Sequence, residues 1–228
     1  MAKKIVKMRV VDWWDEDTQE NFYNNYFIKL LQEKFDIIYS NEPDFIIYSP
    51  FHRDEHLKYD CVRIFYTGEN VRTDWNIADY AIDFDYMEFG DRHFRYPYFL
   101  LRGYKNLWNK HLVDKKDIES KTKFCGFVVS NEASPFTDIR KTFFEKLSEY
   151  KKVDSGGRWK NNVGYKVDNK IEWLKDYKFN ICFENSSYPG YLTEKLFDAF
   201  EANCIPIYWG DTSLRGYKNF SNDTTTNY

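Results

Sequence analysis

The chain lacks most of the features that would assign it to a specialised class. Its four cysteines, Cys61, Cys125, Cys182 and Cys204, form no CxxC pair and no cluster with histidine, which argues against a zinc module or a dithiol redox site. Three of them sit in apolar runs, where a buried free thiol is ordinary, so a reducing compartment is expected. No apolar stretch reaches the roughly 20 residues that span a bilayer, and the basic start "MAKKIVKMRVVDWW" contains no apolar segment of signal-peptide length. The expectation is a cytoplasmic protein, at most peripheral to the inner membrane. Neither sign of charge dominates. With 33 Lys and Arg against 36 Asp and Glu the net charge is −3, so no global field favours nucleic acid or anionic lipid, and any anion site must be local. GxGxxG and P-loop patterns are absent, which argues against a nicotinamide enzyme.

What is present suits a folded α/β protein. The 228 residues are 43% hydrophobic and 30% charged, enough for one large domain or two small ones with buried cores. The 20% aromatic content more often builds cores than stacking surfaces. "KIVKMRVVDW" reads as a strand. "TQENFYNNYFIKLLQEK" follows with Phe22, Tyr26, Phe27, Leu30 and Leu31 at helical spacing. Strands are expected at "FDIIYS", "DFIIYSP" and "CVRIFYTGE". The charged segment "NKHLVDKKDIESKTK" reads as a linker or solvated helix, and a domain boundary is placed after residue 117. Beyond it, "FCGFVVSN" reads as a strand and "SPFTDIRKTFFEKLSEY" as a helix capped by Ser134 or Thr137. "KKVDSGG", "FNICFEN" and "CIPIYWG" read as strands, with helices at "NKIEWLKDYK" and "LTEKLFDAFEAN". Such alternation predicts parallel sheets, with ligands bound at the carboxyl ends of the strands.

One turn concentrates the chemistry. In "FNICFENSSYPGYLTEK" a buried strand ends and Thr193 opens the next helix, placing Glu194 and Lys195 in its first turn. A helix N-terminus with a lysine receives an anion. Asn185 and Tyr191, on the preceding loop, are expected to face the same crevice as hydrogen-bonding and stacking groups. A diphosphate joined to a base and a sugar fits this set, with Glu194 left to hold hydroxyls. The competing reading is an ordinary helix start with solvated charges.

"FNICFENSSYPGYLTEKLFDAFEANCIPIYWGD" resembles the donor-binding motif of the α1,3/4-fucosyltransferases, the family typified by the bacterial Lewis-antigen enzymes. The resemblance continues through "VDWW", "RIFYTGEN", "DYAIDFDY", "FCGFVVSNEASPFTDIRKTFF" and "SGGRWKNNVGYKV", in family order and over nearly the whole chain. It implies a GT-B architecture: two Rossmann-like domains facing across a crevice, an acceptor-side domain at 1–117 and a GDP-fucose-binding domain at 118–228. It matches Asn185, Tyr191, Glu194 and Lys195 to donor-binding positions and Arg140 to an arginine on the diphosphate, a role suited to a planar, permanently charged guanidinium. It matches Glu69, which follows the turn at Gly68, to the general base.

The implied reaction is inverting transfer of L-fucose from GDP-β-L-fucose to GlcNAc of a Galβ1,4GlcNAc-type glycan, with no cofactor beyond the donor. "DFD" at Asp83–Asp85 is read as a strand end rather than a metal site, since hard cations take more oxygen ligands. Family members usually continue well beyond "IPIYWGD", whereas here only "TSLRGYKNFSNDTTTNY" follows. A nucleotide-sugar or glycan binding protein without turnover is therefore the alternative, and a homo-oligomer is one way to cover an uncompleted second domain.

Overall fold

Strand β1 (Lys4–Val11) opens a parallel sheet in the computed structural model of the chain, which describes residues 3–51, 54–104, 107, 113–130 and 137–214. Helices α1 (Gln19–Asn24) and α2 (Tyr26–Leu31) follow. Then come β2 (Phe35–Tyr39), β3 (Phe45–Tyr48), β4 (Val62–Tyr66), β5 (Tyr80–Asp83) and β6 (His93–Arg95). The single helix expected over 18–34 is two. Asn25 ends α1 with an extended backbone and caps α2, its side chain accepting from the Phe27 N–H at 2.9 Å. An asparagine able to satisfy a free N–H breaks the helix where the apolar spacing alone continues it.

The second unit contains α3 (Lys115–Glu119), β7 (Lys123–Phe127), α4 (Thr137–Tyr150), β8 (Val153–Ser155), α5 (Lys170–Leu174), β9 (Tyr177–Phe183), α6 (Glu194–Glu201) and β10 (Ile205–Trp209). The charged segment before β7 carries α3, closed by a reciprocal capping box between Asp114 and Asp117. Thr137 is the first residue of α4 rather than its cap, and Ser134 lies outside the described residues.

Each sheet is parallel and reverses direction once. The first runs β2-β1-β3-β4-β5-β6 and the second β10-β9-β7-β8. In both, the second strand pairs on one side of the first and the third on the other, so the order switches between β1 and β3 and between β7 and β9. Crevices that take ligands open at such points, beyond the carboxyl ends of the strands.

Period-two alternation feeds two cores per sheet. Val10, Ile47 and Tyr66 join Phe22, Phe27 and Ile28 on one face, while Val11, Ile46 and Phe65 join Tyr48, Ala78 and Ala81 on the other. In the second sheet Ile181 and Phe183 pack with Phe144 of α4, and Cys182 packs with Leu174, Ala199 and Cys204. The chain divides into compact units at Leu101/Arg102. The stretch from Arg102 groups with the second unit because Tyr104 donates to Asp198 of α6 at 2.8 Å and stacks on Phe197. Cys125, Cys182 and Cys204 are buried free thiols and Cys61 is half-buried.

Candidate active site

At the carboxyl end of β9 the chain places a carboxylate that no solvent reaches. Glu184 is fully buried; its Oε1 accepts the Thr193 N–H at 2.8 Å, and its Oε2 accepts the Thr193 hydroxyl at 2.6 Å. Thr193 thus precedes α6 without capping it by its side chain. Lys195 Nζ lies 3.0 Å from Thr193 Oγ1, 3.1 Å from Glu184 Oε2 and 3.4 Å from Glu194 Oε1.

The pKa directions follow from this packing. Burial pushes the Glu184 carboxyl up against the opposing pull of Lys195 and Thr193. For Lys195 burial acts downward, but Glu184 and Glu194 together overcome it and hold the ammonium above its ordinary value. Burial likewise pushes Glu194 up, and Lys195, Lys170 and hydrogen bonds outweigh it, leaving this carboxyl well below the usual range. Lys195, expected to add a free positive charge, is therefore paired within the turn.

Arg140, on the first turn of α4 beyond β7, is a cation left unspent among the described residues. It is 2% exposed, and none of its three guanidinium nitrogens has a hydrogen-bond partner among the described residues. Burial lowers its pKa, while Tyr191 and Glu184, across the β7/β9 switch point, act upward. Tyr191 is 1% exposed: its ring packs inside rather than presenting the stacking face expected of it. Asn185, directly after Glu184, is half-buried.

Beside α4, two backbone segments approach closely at a glycine. Gly157, beyond β8, lies so close to the chain leaving β7 that a Cβ would come within 2.0 Å of the Val129 carbonyl oxygen and 2.5 Å of its nitrogen.

In the first unit, Glu69 follows β4 on a turn closed by Thr67. The Thr67 hydroxyl accepts the Glu69 N–H at 2.9 Å and donates to the Glu69 carbonyl at 3.0 Å. Gly68 packs against Tyr98, with space for no side chain: a Cβ would sit 2.6 Å from Tyr98 Cδ2. Glu69 is half-buried. Tyr66 stacks on Trp13 at 5.3 Å, and Trp14, 44% exposed, lies edge-on to both.

The two acids of "DFD" are spoken for. Asp83 Oδ1 lies 2.7 Å from His93 Nε2, its Oδ2 accepts from Thr73, and Asp85 pairs with Arg72 at 2.8 Å. The adjoining pocket, about 190 Å³, is smaller than the roughly 300–1,000 Å³ of most ligand sites. No group of three metal-ligating side chains occurs among the described residues.

Two family models match: the alpha-(1,3)-fucosyltransferase FucT N-terminal domain over residues 8–102 and the glycosyltransferase family 10 (fucosyltransferase) C-terminal domain over residues 118–224. A crystal structure of an alpha1,3-fucosyltransferase with GDP-fucose superposes with a TM-score of 0.75 at 32% identity, covering 94% of this chain and 71% of that one. The chain belongs to glycosyltransferase family 10, the fucosyltransferases. Among relatives in the family, the alpha-(1,3)-fucosyltransferase FucT of Helicobacter pylori is 34% identical over 247 residues, 92% of this chain and 51% of that protein. The human 4-galactosyl-N-acetylglucosaminide 3-alpha-L-fucosyltransferase FUT6 is 33% identical over 105 residues, 46% of this chain and 28% of that protein. This fucosyltransferase-family chain thus spans about half the length of the bacterial relative.

The family motif names Glu194 and Lys195 but not Glu184, which gathers Thr193 and Lys195 around itself. The available signal was its position: a carboxylate ending the apolar run "FNICF" has to be buried, and a buried carboxylate requires partners. Among the described residues, no helix is long and apolar enough to cross a membrane.

Proposed function

We propose that the chain is an inverting α1,3-fucosyltransferase that moves L-fucose from GDP-β-L-fucose to GlcNAc of a Galβ1,4GlcNAc-type glycan. The observation that carries this reading is Arg140, a buried guanidinium with no partner among the described residues at the switch point of the second sheet. An uncompensated buried cation is costly, and a diphosphate supplies what it lacks. Family membership supports GDP-fucose as the donor, since a similar crystal structure is of an alpha1,3-fucosyltransferase with GDP-fucose.

In this reading Arg140 and Lys195 offset the charge that gathers on GDP as the anomeric C–O bond breaks and the bonding pair leaves with the diphosphate. Asn185, Tyr191 and Glu194 shape the donor site, Tyr191 from within. The acceptor hydroxyl attacks the opposite face of the anomeric carbon, and Glu69 takes its proton. A single displacement inverts the configuration. The half-turn at Thr67–Glu69 fixes the carboxylate's backbone, and Trp14, exposed and edge-on to Trp13 and the buried Tyr66, supplies an aromatic face of the kind that packs on sugar rings. No metal enters the scheme, because side-chain cations meet the diphosphate.

Mass spectrometry of N-acetyllactosamine incubated with GDP-fucose and the full chain tests the proposal. A product heavier by one deoxyhexose is expected. With Glu69→Ala, turnover falls by about 100-fold or more while GDP affinity holds. A folded chain that binds GDP but yields no such product would overturn the transfer, and equal losses of turnover and GDP affinity would remove Glu69 from the base role.

A further inference from the structure

Asp211, the first residue past Gly210 at the end of β10, has a carboxylate used on one side only. It is 6% exposed. Its Oδ1 accepts three hydrogen bonds, from the Gly190 N–H at 2.7 Å, the Ser213 N–H at 2.8 Å and the Ser213 hydroxyl at 2.6 Å. Its own N–H donates to the Tyr208 hydroxyl at 2.8 Å. Oδ2 has no partner among the described residues. Three donors on one oxygen fix the orientation of the group, so the idle second oxygen is held in place rather than left to rotate.

The surroundings place Asp211 beside the strand end that carries Glu184, with Oδ2 buried. Trp209 O accepts the Glu184 N–H at 2.8 Å, and Gly210 sits against the Glu184 side chain, where a Cβ would meet Cγ at 2.5 Å. The Ser187 hydroxyl donates to Gly210 O at 2.6 Å. Gly190, which donates to Asp211, immediately precedes Tyr191. The loops after β9 and β10 are therefore stitched together around Glu184 and Asp211.

An ionised carboxylate is acceptor-only, so its free oxygen suits a hydroxyl and repels a phosphate. The topology indicates which hydroxyl. Strand β9, the turn to α6, the helix and β10 form one βαβ unit. In mononucleotide-binding units of this kind the phosphates lie at the helix N-terminus, and an acid at the end of the following strand takes the ribose hydroxyls. Asp211 occupies that strand-end position. Building on the GDP-fucose reading, we propose that Asp211 Oδ2 accepts a hydrogen bond from a ribose hydroxyl of the bound nucleotide.

The test compares binding of GDP and 2′,3′-dideoxy-GDP to the full chain by calorimetry. The wild type is expected to favour GDP by about tenfold, the scale of one hydrogen bond to a charged group. Asp211→Asn should bind GDP more weakly and dideoxy-GDP as before, closing the gap, with a melting temperature that shows the fold retained. Should Asp211→Asn not fold, Asp211→Glu, which moves the carboxylate by one methylene, is expected to shrink the same ratio. An unchanged ratio in a folded variant, or equal loss for both nucleotides, overturns the proposal while leaving GDP binding intact. Failure of the wild type to bind GDP at all would instead overturn the donor reading and this proposal with it.

Discussion

Arg140 and Ile139 sit in inverted environments: the isoleucine is 40% exposed and the arginine 2%. A helix written for stability alone would exchange them. Replacing Arg140 with methionine keeps the length and removes the buried charge, so Arg140→Met is expected to raise the melting temperature of the ligand-free chain by a few degrees, about 1 kcal/mol. The same variant should lose the stabilisation that GDP gives the wild type. A fall in the ligand-free melting temperature would show that the guanidinium is already compensated. The resemblance picked out Arg140, but its lack of a hydrogen-bond partner among the described residues was hidden from sequence, because helical spacing does not report which neighbours a buried charge meets. Glu194 gives a second expectation. Its folded pKa lies below the ordinary 4.5, so it contributes stability above pH 4.5 that is lost as pH falls through the lowered folded value. Between pH 6 and pH 3 the urea midpoint of Glu194→Gln should therefore fall less than that of the wild type; parallel losses would mean the carboxyl titrates normally in the fold.

Elements were legible where they were long or bounded by turn residues, and less so where a single side chain intervened. β1 through β4, β7, β9 and β10 coincide with apolar runs between charges or glycines, and the short β8 is marked by the glycines that follow it. β5 and β6 do not stand out, because the short runs "YAID" and "HFR" have neither a continuous apolar stretch nor a glycine turn directly after them. The helix over 18–34 failed at Asn25 for a local reason, a cap formed in mid-segment. Gly157 shows how one element is held at its distance from another. The glycines of "DSGG" looked like a turn; the structure uses the second to let the segment leaving β8 pass the Val129 backbone. A methyl group there meets main chain, which cannot rotate aside. Gly157→Ala is expected to cost about 1–3 kcal/mol by urea denaturation. Because Val129 lies on the loop leading from β7 to α4 and Arg140, GDP affinity should fall with it. A variant as stable as wild type would show that this loop yields at little cost and does not set the position of Arg140.

Across the whole chain, alternating strands and helices announced two parallel sheets, but strand order is a long-range property that no window of sequence contains. Without it the switch points could not be located, and acids at strand ends, such as Asp12 after β1 and Asp211 after β10, had nothing to set them apart from ordinary turn residues. Once the order is known, each unit presents its own switch point: Arg140 and the 184–195 turn lie at that of the second sheet, while Glu69 follows β4, one strand away from the β1/β3 switch of the first. The proposed division of labour puts the nucleotide in the second unit and the acceptor in the first. Hydrogen–deuterium exchange separates the two contributions, since amides that close around a ligand are protected. GDP alone should slow exchange over 184–195 and the first turn of α4 and leave 67–70 unchanged. Adding N-acetyllactosamine to the GDP complex should then slow exchange at 67–70. Protection of 67–70 by GDP alone, with none over 184–195, would reverse the assignment and move the nucleotide to the unit that carries Glu69.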